Sequence, residues 1–393
     1  MGKKFGMRMN SIILMLLLLL GAFIVVVPSI TIAPHPLSPP EGSIQVGDYT
    51  YTSSIPGEAT ITGYTGNGGA ITIPSDLNGN AVTVIGQHAF NSDHGALVTS
   101  VIIPDSVTYI DEMAFGFCTS LTSVTIPDSV TTIGVSAFAF CYSLTSVNIP
   151  DSVKTIGENA FGYCSLLTTI TIPDSVTRIG GLAFSLCTNL TSVTIPNGIT
   201  ALEYDTFSYC EALTSVTIPD SVILIGDRAF FECTNLTSVT IPNSVTNLGN
   251  YAFSTCTSLT SVTVPDSVTT IGESAFSGCT SLTSVNIGSG VTAIDLYAFN
   301  GCTSLTSISF LGLTAPIVVG DHWIDDTNSA LMGHAYADSN FPAAGEVWYG
   351  LTMGGTLPEP ASPFIDSTML YLAIGIVAVV VVIAVVVILT RKK

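Results

Sequence analysis

Nine cysteines stand 23 residues apart without a slip: Cys118, Cys141, Cys164, Cys187, Cys210, Cys233, Cys256, Cys279 and Cys302. Cysteines at a fixed step can pair as disulfides, hold a metal as thiolates, or stay reduced as small apolar groups. Pairing between neighbouring units would suit an extracellular chain, but nine is odd and leaves at least one thiol free. Metal binding is the weaker alternative, because the cysteine-bearing units contain no histidine and no C-x-x-C. One cysteine per unit, three residues after a phenylalanine, reads best as a buried rung of a core.

Three other groups of residues could carry chemistry. Asp105, Asp128, Asp151, Asp174, Asp220 and Asp266 keep the same step, with Asn197 and Asn243 in register. Asn serves as well as Asp in capping a turn, so capping is the first reading and a row of Ca²⁺ ions the second. Asn189-Leu190-Thr191 and Asn235-Leu236-Thr237 are N-glycosylation sequons, two units apart. Asp321, His322, Asp325, Asp326 and His334 combine two imidazoles with carboxylates, but their spacing matches no metal or catalytic motif. No catalytic residue, metal ligand or cofactor is therefore assigned, and the chain is expected not to be an enzyme.

The elements that position these residues are the repeats themselves. A fixed period between 20 and 50 residues marks a stacked array. Residues 121–143, LTSVTIPDSVTTIGVSAFAFCYS, show one unit. Leu121, Val124 and Ile126 alternate with polar residues, as in a short strand with one buried face. Pro127 ends the strand because it has no N–H for a ladder. Asp128 and Ser129 follow as turn formers. Gly134 fits a left-handed backbone position. Ala137, Phe138 and Cys141 have the spacing of one helical turn on the back of the coil. About eight residues per unit point inward, and only stacking can bury them.

Strand, I-P-x-S-V, x-x-I-G, x-x-A-F and x-x-C resemble the BspA-like leucine-rich repeat, over about 240 of the 393 residues. Departures are local: Gly288 stands for proline, and Glu203 and Asp295 for the glycine. The resemblance implies an α/β-type solenoid of 23-residue coils, with a parallel β-sheet on one face and short helical turns on the other. It also implies a cell-surface adhesion or binding role and brings no catalytic residues.

On the expected strand face, Ser123, Ser146, Thr169, Ser192, Ser215, Ser238, Ser261 and Ser284 alternate with Thr125, Asn148, Thr171, Thr194, Thr217, Thr240, Thr263 and Asn286. Threonine suits solvent-facing strand positions whatever the function. The same columns are the candidate binding surface for an extracellular protein or glycan. Phe117, Tyr142, Tyr163, Tyr204, Tyr209, Phe231 and Tyr251 vary more and mark a second candidate edge.

The two ends address the membrane. Lys3, Lys4 and Arg8 precede an apolar run, so residues 1–33 read as a signal peptide or an uncleaved N-terminal anchor. Residues 41–70 are expected to form an N-terminal β cap, 71–310 about ten repeats, 311–356 a C-terminal cap and 357–368 a Pro-rich stalk. Residues 369–390 carry no charge and are long enough for a transmembrane helix. The basic residues 391–393 place the tail in the cytoplasm and the solenoid outside. Of nine basic residues only Lys154, Arg178 and Arg228 lie between the ends, against 28 acidic ones. Such a surface repels nucleic acid.

Overall fold

A computed structural model describes residues 40–358 of the chain. The expected signal or anchor, nearly all of the stalk, the expected transmembrane helix and the basic tail lie outside the described residues. Among the described residues no helix is long and apolar enough to cross a membrane.

Three ladders of hydrogen bonds run along the stack of coils. The first joins three-residue strands in a parallel sheet that includes Ser123–Thr125, Ser146–Asn148, Thr169–Thr171 and Ser192–Thr194. Register is position for position: Val124 lies beside Val147, and Val147 beside Ile170. A second sheet resumes at Ser261–Val264. It continues past Phe310, where the sequence repeat ends, through Met332–His334 to Leu351–Met353. The antiparallel strand Val347–Trp348 closes it.

The second ladder joins two-residue strands such as Thr132–Ile133 and Thr155–Ile156, also in parallel register. The coils thus carry two β ladders, where the sequence implied a sheet on one face only. This ladder is interrupted between Arg178–Ile179 and Ala201–Leu202. Glu203 replaces the usual glycine there, and Gly198 replaces the usual serine. The acid alone is not the cause, since Asp295 keeps its ladder bond to the Ile271 carbonyl at 2.9 Å.

The third ladder replaces the expected helical turns. The N–H groups of Ser136, Phe138 and Phe140 donate to the carbonyls of Glu158, Ala160 and Gly162 in the next coil, at 2.8, 2.8 and 2.9 Å. The intervening Ala137 and Ala139 donate back to Gly134 and Ser136 within their own coil. Ser136 (φ 52°) and Phe140 (φ 62°) are left-handed. An α-helix needs consecutive right-handed residues, and its N–H groups bond internally. Here the left-handed residues interrupt it, and alternate N–H groups bond the neighbouring coil. Among the described residues the one helical element is the short 3₁₀ turn Gly95–Leu97.

Gly134 is not left-handed, contrary to the sequence reading. A Cβ on it would come within 2.8 Å of the Ile110 carbonyl oxygen. On Gly157 a Cβ would lie 2.6 Å from the backbone of Gly134. The glycine column exists so that successive backbones can touch.

Each coil fills its interior with the expected eight residues. Leu121, Val124, Ile126, Val130, Ile133, Ala137, Phe138 and Cys141 are all buried. No coil can do this alone, and the burial is worth roughly 25 cal/mol per Å² of apolar area. The phenyl rings form a continuous stack: Phe138 to Phe161 is 5.4 Å at 4°, and Phe161 to Phe184 is 5.7 Å at 1°. At one end Tyr64 stacks on Phe90 at 5.1 Å. At the other, Trp323 meets Phe299 edge-on at 6.3 Å. Tyr64 belongs to the strand Glu58–Tyr64, which pairs antiparallel with Tyr49–Thr52 and parallel with Asn80–Ile85.

Candidate functional site

The strand face is the most extensive candidate surface. Ser123, Thr125, Ser146, Asn148, Thr169, Thr171, Ser192, Thr194, Ser215, Thr217, Ser238, Thr240, Ser261 and Thr263 are all exposed. The apolar residues between them point into the core, because successive strand residues face opposite sides. Beside them runs a third column that sequence reasoning did not single out. Thr191 donates its hydroxyl to the Thr168 carbonyl of the preceding coil at 3.1 Å, and Thr214 to Thr191 at 3.4 Å. The same bond recurs from Thr122 to Thr306. Strict recurrence of threonine one residue after the core leucine was the available signal.

The aspartate column is exposed and is not a set of caps for its own turn. Asp174 and Asp266 each accept an N–H from the next coil, that of Asn197 at 3.4 Å and that of Ser289 at 2.6 Å. The turn closes on its own backbone, Val153 N–H to the Pro150 carbonyl at 3.1 Å, and the serine tethers it to the preceding coil, as when Ser152 donates to the Val130 carbonyl at 2.6 Å. Among the described residues no three His, Cys, Asp or Glu side chains gather to hold a metal.

The cysteines are free, buried and bonded to backbone. Cys187 Sγ donates to the Phe161 carbonyl at 3.3 Å and Cys210 Sγ to that of Phe184 at 3.3 Å. Burial pushes the Cys187 and Cys302 thiols up to about 12 and raises the remaining seven as well. A thiol held protonated is neither a nucleophile nor a metal ligand.

The acidic cluster of the C-terminal region divides. Asp321, His322, Asp325 and Asp326 line a hollow of about 620 Å³, together with Trp323 and Tyr349. His322 Nδ1 and Asp325 Oδ2 pair at 2.5 Å, and that bond raises the imidazole pKa. His334 lines no part of this hollow and bonds the Gly355 carbonyl at 2.9 Å. The five residues therefore do not converge on one centre. Asn189 and Asn235, the sequon residues, are both exposed.

The turn edge carries an aromatic stripe. Phe117 stacks on Phe140 at 4.4 Å, and Phe140 on Tyr163 at 4.4 Å. Tyr142 meets Phe140 edge-on at 6.2 Å and is exposed. Tyr209 packs edge-on against Phe231 at 5.3 Å, and Arg228 lies over that ring at 4.8 Å. Phe140 belongs to this edge and was missed in the sequence, although the 23-residue step places it between Phe117 and Tyr163 in one column. Tyr204 and Tyr251 lie elsewhere in the turn, bonded or close to Glu158 and Glu273. Beside the stripe Asp205 pairs with Arg228 at 3.9 Å, and Ser185 and Ser208 share a buried bond of 2.8 Å.

Residues 83–214 and 202–317 match the family described as BspA type leucine rich repeat region. A leucine-rich repeat protein from Bacteroides ovatus is 26% identical; the alignment covers 80% of this chain and 100% of that one, with a TM-score of 0.56. A leucine rich repeat protein of T. pallidum is 31% identical over 49% of this chain and 90% of that one, with a TM-score of 0.46. No curated protein matches the sequence. The repeats, their 23-residue step and the stacked parallel ladders thus all agree, and the chain belongs to the family of BspA-type leucine-rich repeat proteins.

Proposed function

We propose that this protein is a non-catalytic recognition module, displayed outside the cell, that binds a protein or glycan by shallow contacts repeated along its coils. One observation carries the reading: the strand face presents uncharged hydroxyl and amide columns, exposed in every coil from Ser123 to Thr263, and the ladder holds those from Ser123 to Thr240 in register. Repetition makes weak contacts additive, because each further contact is intramolecular once the first has formed. Membership of a repeat family that is typically non-catalytic supports the absence of chemistry. The uncharged run 369–390 and the basic residues after it support a single membrane span with a cytoplasmic tail.

The test is binding of the purified chain to glycan arrays and to surface proteins of candidate partner cells, compared with a variant carrying Thr171→Lys and Thr194→Lys. Binding that the variant loses supports the reading. A chain that binds no surface component favours a structural envelope spacer instead. That second reading draws on the scarcity of aromatic and charged side chains on the strand face, since binding hot spots favour Trp, Tyr and Arg.

A further inference from the structure

The turn edge contains a column whose side chains the fold does not require. In register along the third ladder stand Phe117, Phe140, Tyr163, Leu186, Tyr209, Glu232, Thr255, Gly278 and Gly301, all left-handed with φ between 58° and 71°. Glycine adopts this conformation without strain, whereas a side chain pays for it. Gly278 and Gly301 show that the turn closes on glycine, with the same N–H bonds to the next coil: Gly278 to the Asn300 carbonyl at 2.8 Å, as Phe140 to Gly162 at 2.9 Å. Five successive coils nevertheless place a large apolar side chain here. The left-handed conformation itself serves the ladder, since Met113, Ser136, Asn159 and Leu182 share it elsewhere in the turn; what the fold leaves free in this column is the choice of side chain.

These side chains build one surface. Their rings stack on one another and are only half-buried. Tyr142 (42% exposed), edge-on to Phe140, extends the stripe outward. Its C-terminal end is acidic. Glu232 takes the same column position one coil after Tyr209, and Glu211 and Asp205 lie close by. Arg228, the basic residue at this end, lies 3.9 Å from Asp205 and over the face of Phe231, and its buried Nε makes no hydrogen bond. The neighbouring Glu211 helps to raise the Glu232 carboxyl, after burial.

We infer that the stripe from Phe117 to Tyr209 is a docking edge for a polypeptide segment carrying apolar side chains followed by Lys or Arg. The apolar groups would cover Phe140, Tyr163 and Leu186, and the cation would sit between Glu211 and Glu232. The charge balance between the ends, 3 basic against 28 acidic residues, draws a cationic segment and repels an anionic one. Leu186, and the stacking of Phe117, Phe140 and Tyr163 face to face on one another, favour a peptide over a sugar, which would need open aromatic faces. The inference rests on the reading of the solenoid as a recognition module but uses a surface other than the strand face.

The test pans the full-length chain, purified in a non-ionic detergent, against a random-peptide phage library, then measures synthetic versions of the enriched peptides. Enriched sequences should combine apolar residues with Lys or Arg. Their affinity should fall at least about tenfold on Phe140→Gly with Tyr163→Gly, and fall with rising salt or on Glu211→Gln with Glu232→Gln. The glycine variants take the residue already present at Gly278 and Gly301, and thermal unfolding verifies that they fold; the Gln variants read the acidic end independently. No enrichment, enriched peptides without basic residues, or affinities unchanged by both pairs overturn the inference. Peptides lost instead with Thr171→Lys and Thr194→Lys leave the recognition module standing and assign it to the strand face.

Discussion

The thiol of Cys187 donates to the carbonyl of Phe161, in the preceding coil, at 3.3 Å. That carbonyl also accepts the N–H of Cys164 at 3.2 Å, so one oxygen closes its own turn and tethers the next coil. The bond recurs from Cys118 to Cys302. Sulfur is a weak donor, but it adds a directional contact to a site that otherwise needs only a small apolar group. The regular step of the cysteines therefore records packing and coil-to-coil bonding rather than reactivity.

Nine free, buried thiols predict a simple reagent result. The native protein should react with none under brief exposure, and the denatured, unreduced protein should titrate nine. A count near zero after denaturation would show disulfides and remove this account of the column.

The same burial predicts alkaline unfolding. A thiol raised from 9.0 to about 12, as at Cys187 and Cys302, stabilises the fold fully while the unfolded thiol stays protonated, below about pH 9. That contribution is lost as pH climbs from there toward 12, by up to about 1.4 kcal/mol per pH unit for each thiol. With nine raised thiols the melting temperature should drop steeply above pH 9, and a Cys187→Ala, Cys210→Ala double variant should show a shallower slope. Melting curves from pH 7 to 11 measure it. Equal slopes in both proteins would contradict the cause assigned.

Truncating the ring stack should be costly. Phe184 lies between Phe161 at 5.7 Å and Phe207 at 5.5 Å and is fully buried. Phe184→Ala should destabilise by about 3–5 kcal/mol, and Phe184→Leu by clearly less. Denaturant unfolding gives both values. In a stack where coils contact only neighbours, the loss should also broaden the transition.

Two opposite glycine effects separate close approach from backbone strain. Gly157→Ala should destabilise by about 1–3 kcal/mol, because its Cβ would lie 2.6 Å from Gly134 backbone, which cannot yield. Thr255→Gly should stabilise by about 1 kcal/mol, since Thr255 holds φ 60° where Gly278 and Gly301 sit in the next two coils. Shifts in denaturation midpoint with the same sign for both would refute the distinction.

The sequence determined which residues face inward. A 23-residue period with Leu121, Val124, Ile126, Val130, Ile133, Ala137, Phe138 and Cys141 fixes the buried set, because every coil must hide the same positions against its neighbours. It determined the family and the strand register for the same reason. It did not determine the conformation of the A-F-x-x-C segment. A three-to-four spacing of apolar residues fits a helical turn as well as it fits the observed turn, and only bonding between coils chooses. Ser136 and Phe140 go left-handed so that alternate N–H groups reach the next coil, which no single unit can encode. The tertiary structure likewise turned Gly134 from a flexible residue into a contact point and brought Phe117, Phe140 and Tyr163 into one stripe. It also kept His334 apart from His322. In each case the deciding partner lies 20 or more residues away, at a distance that only the stack makes short.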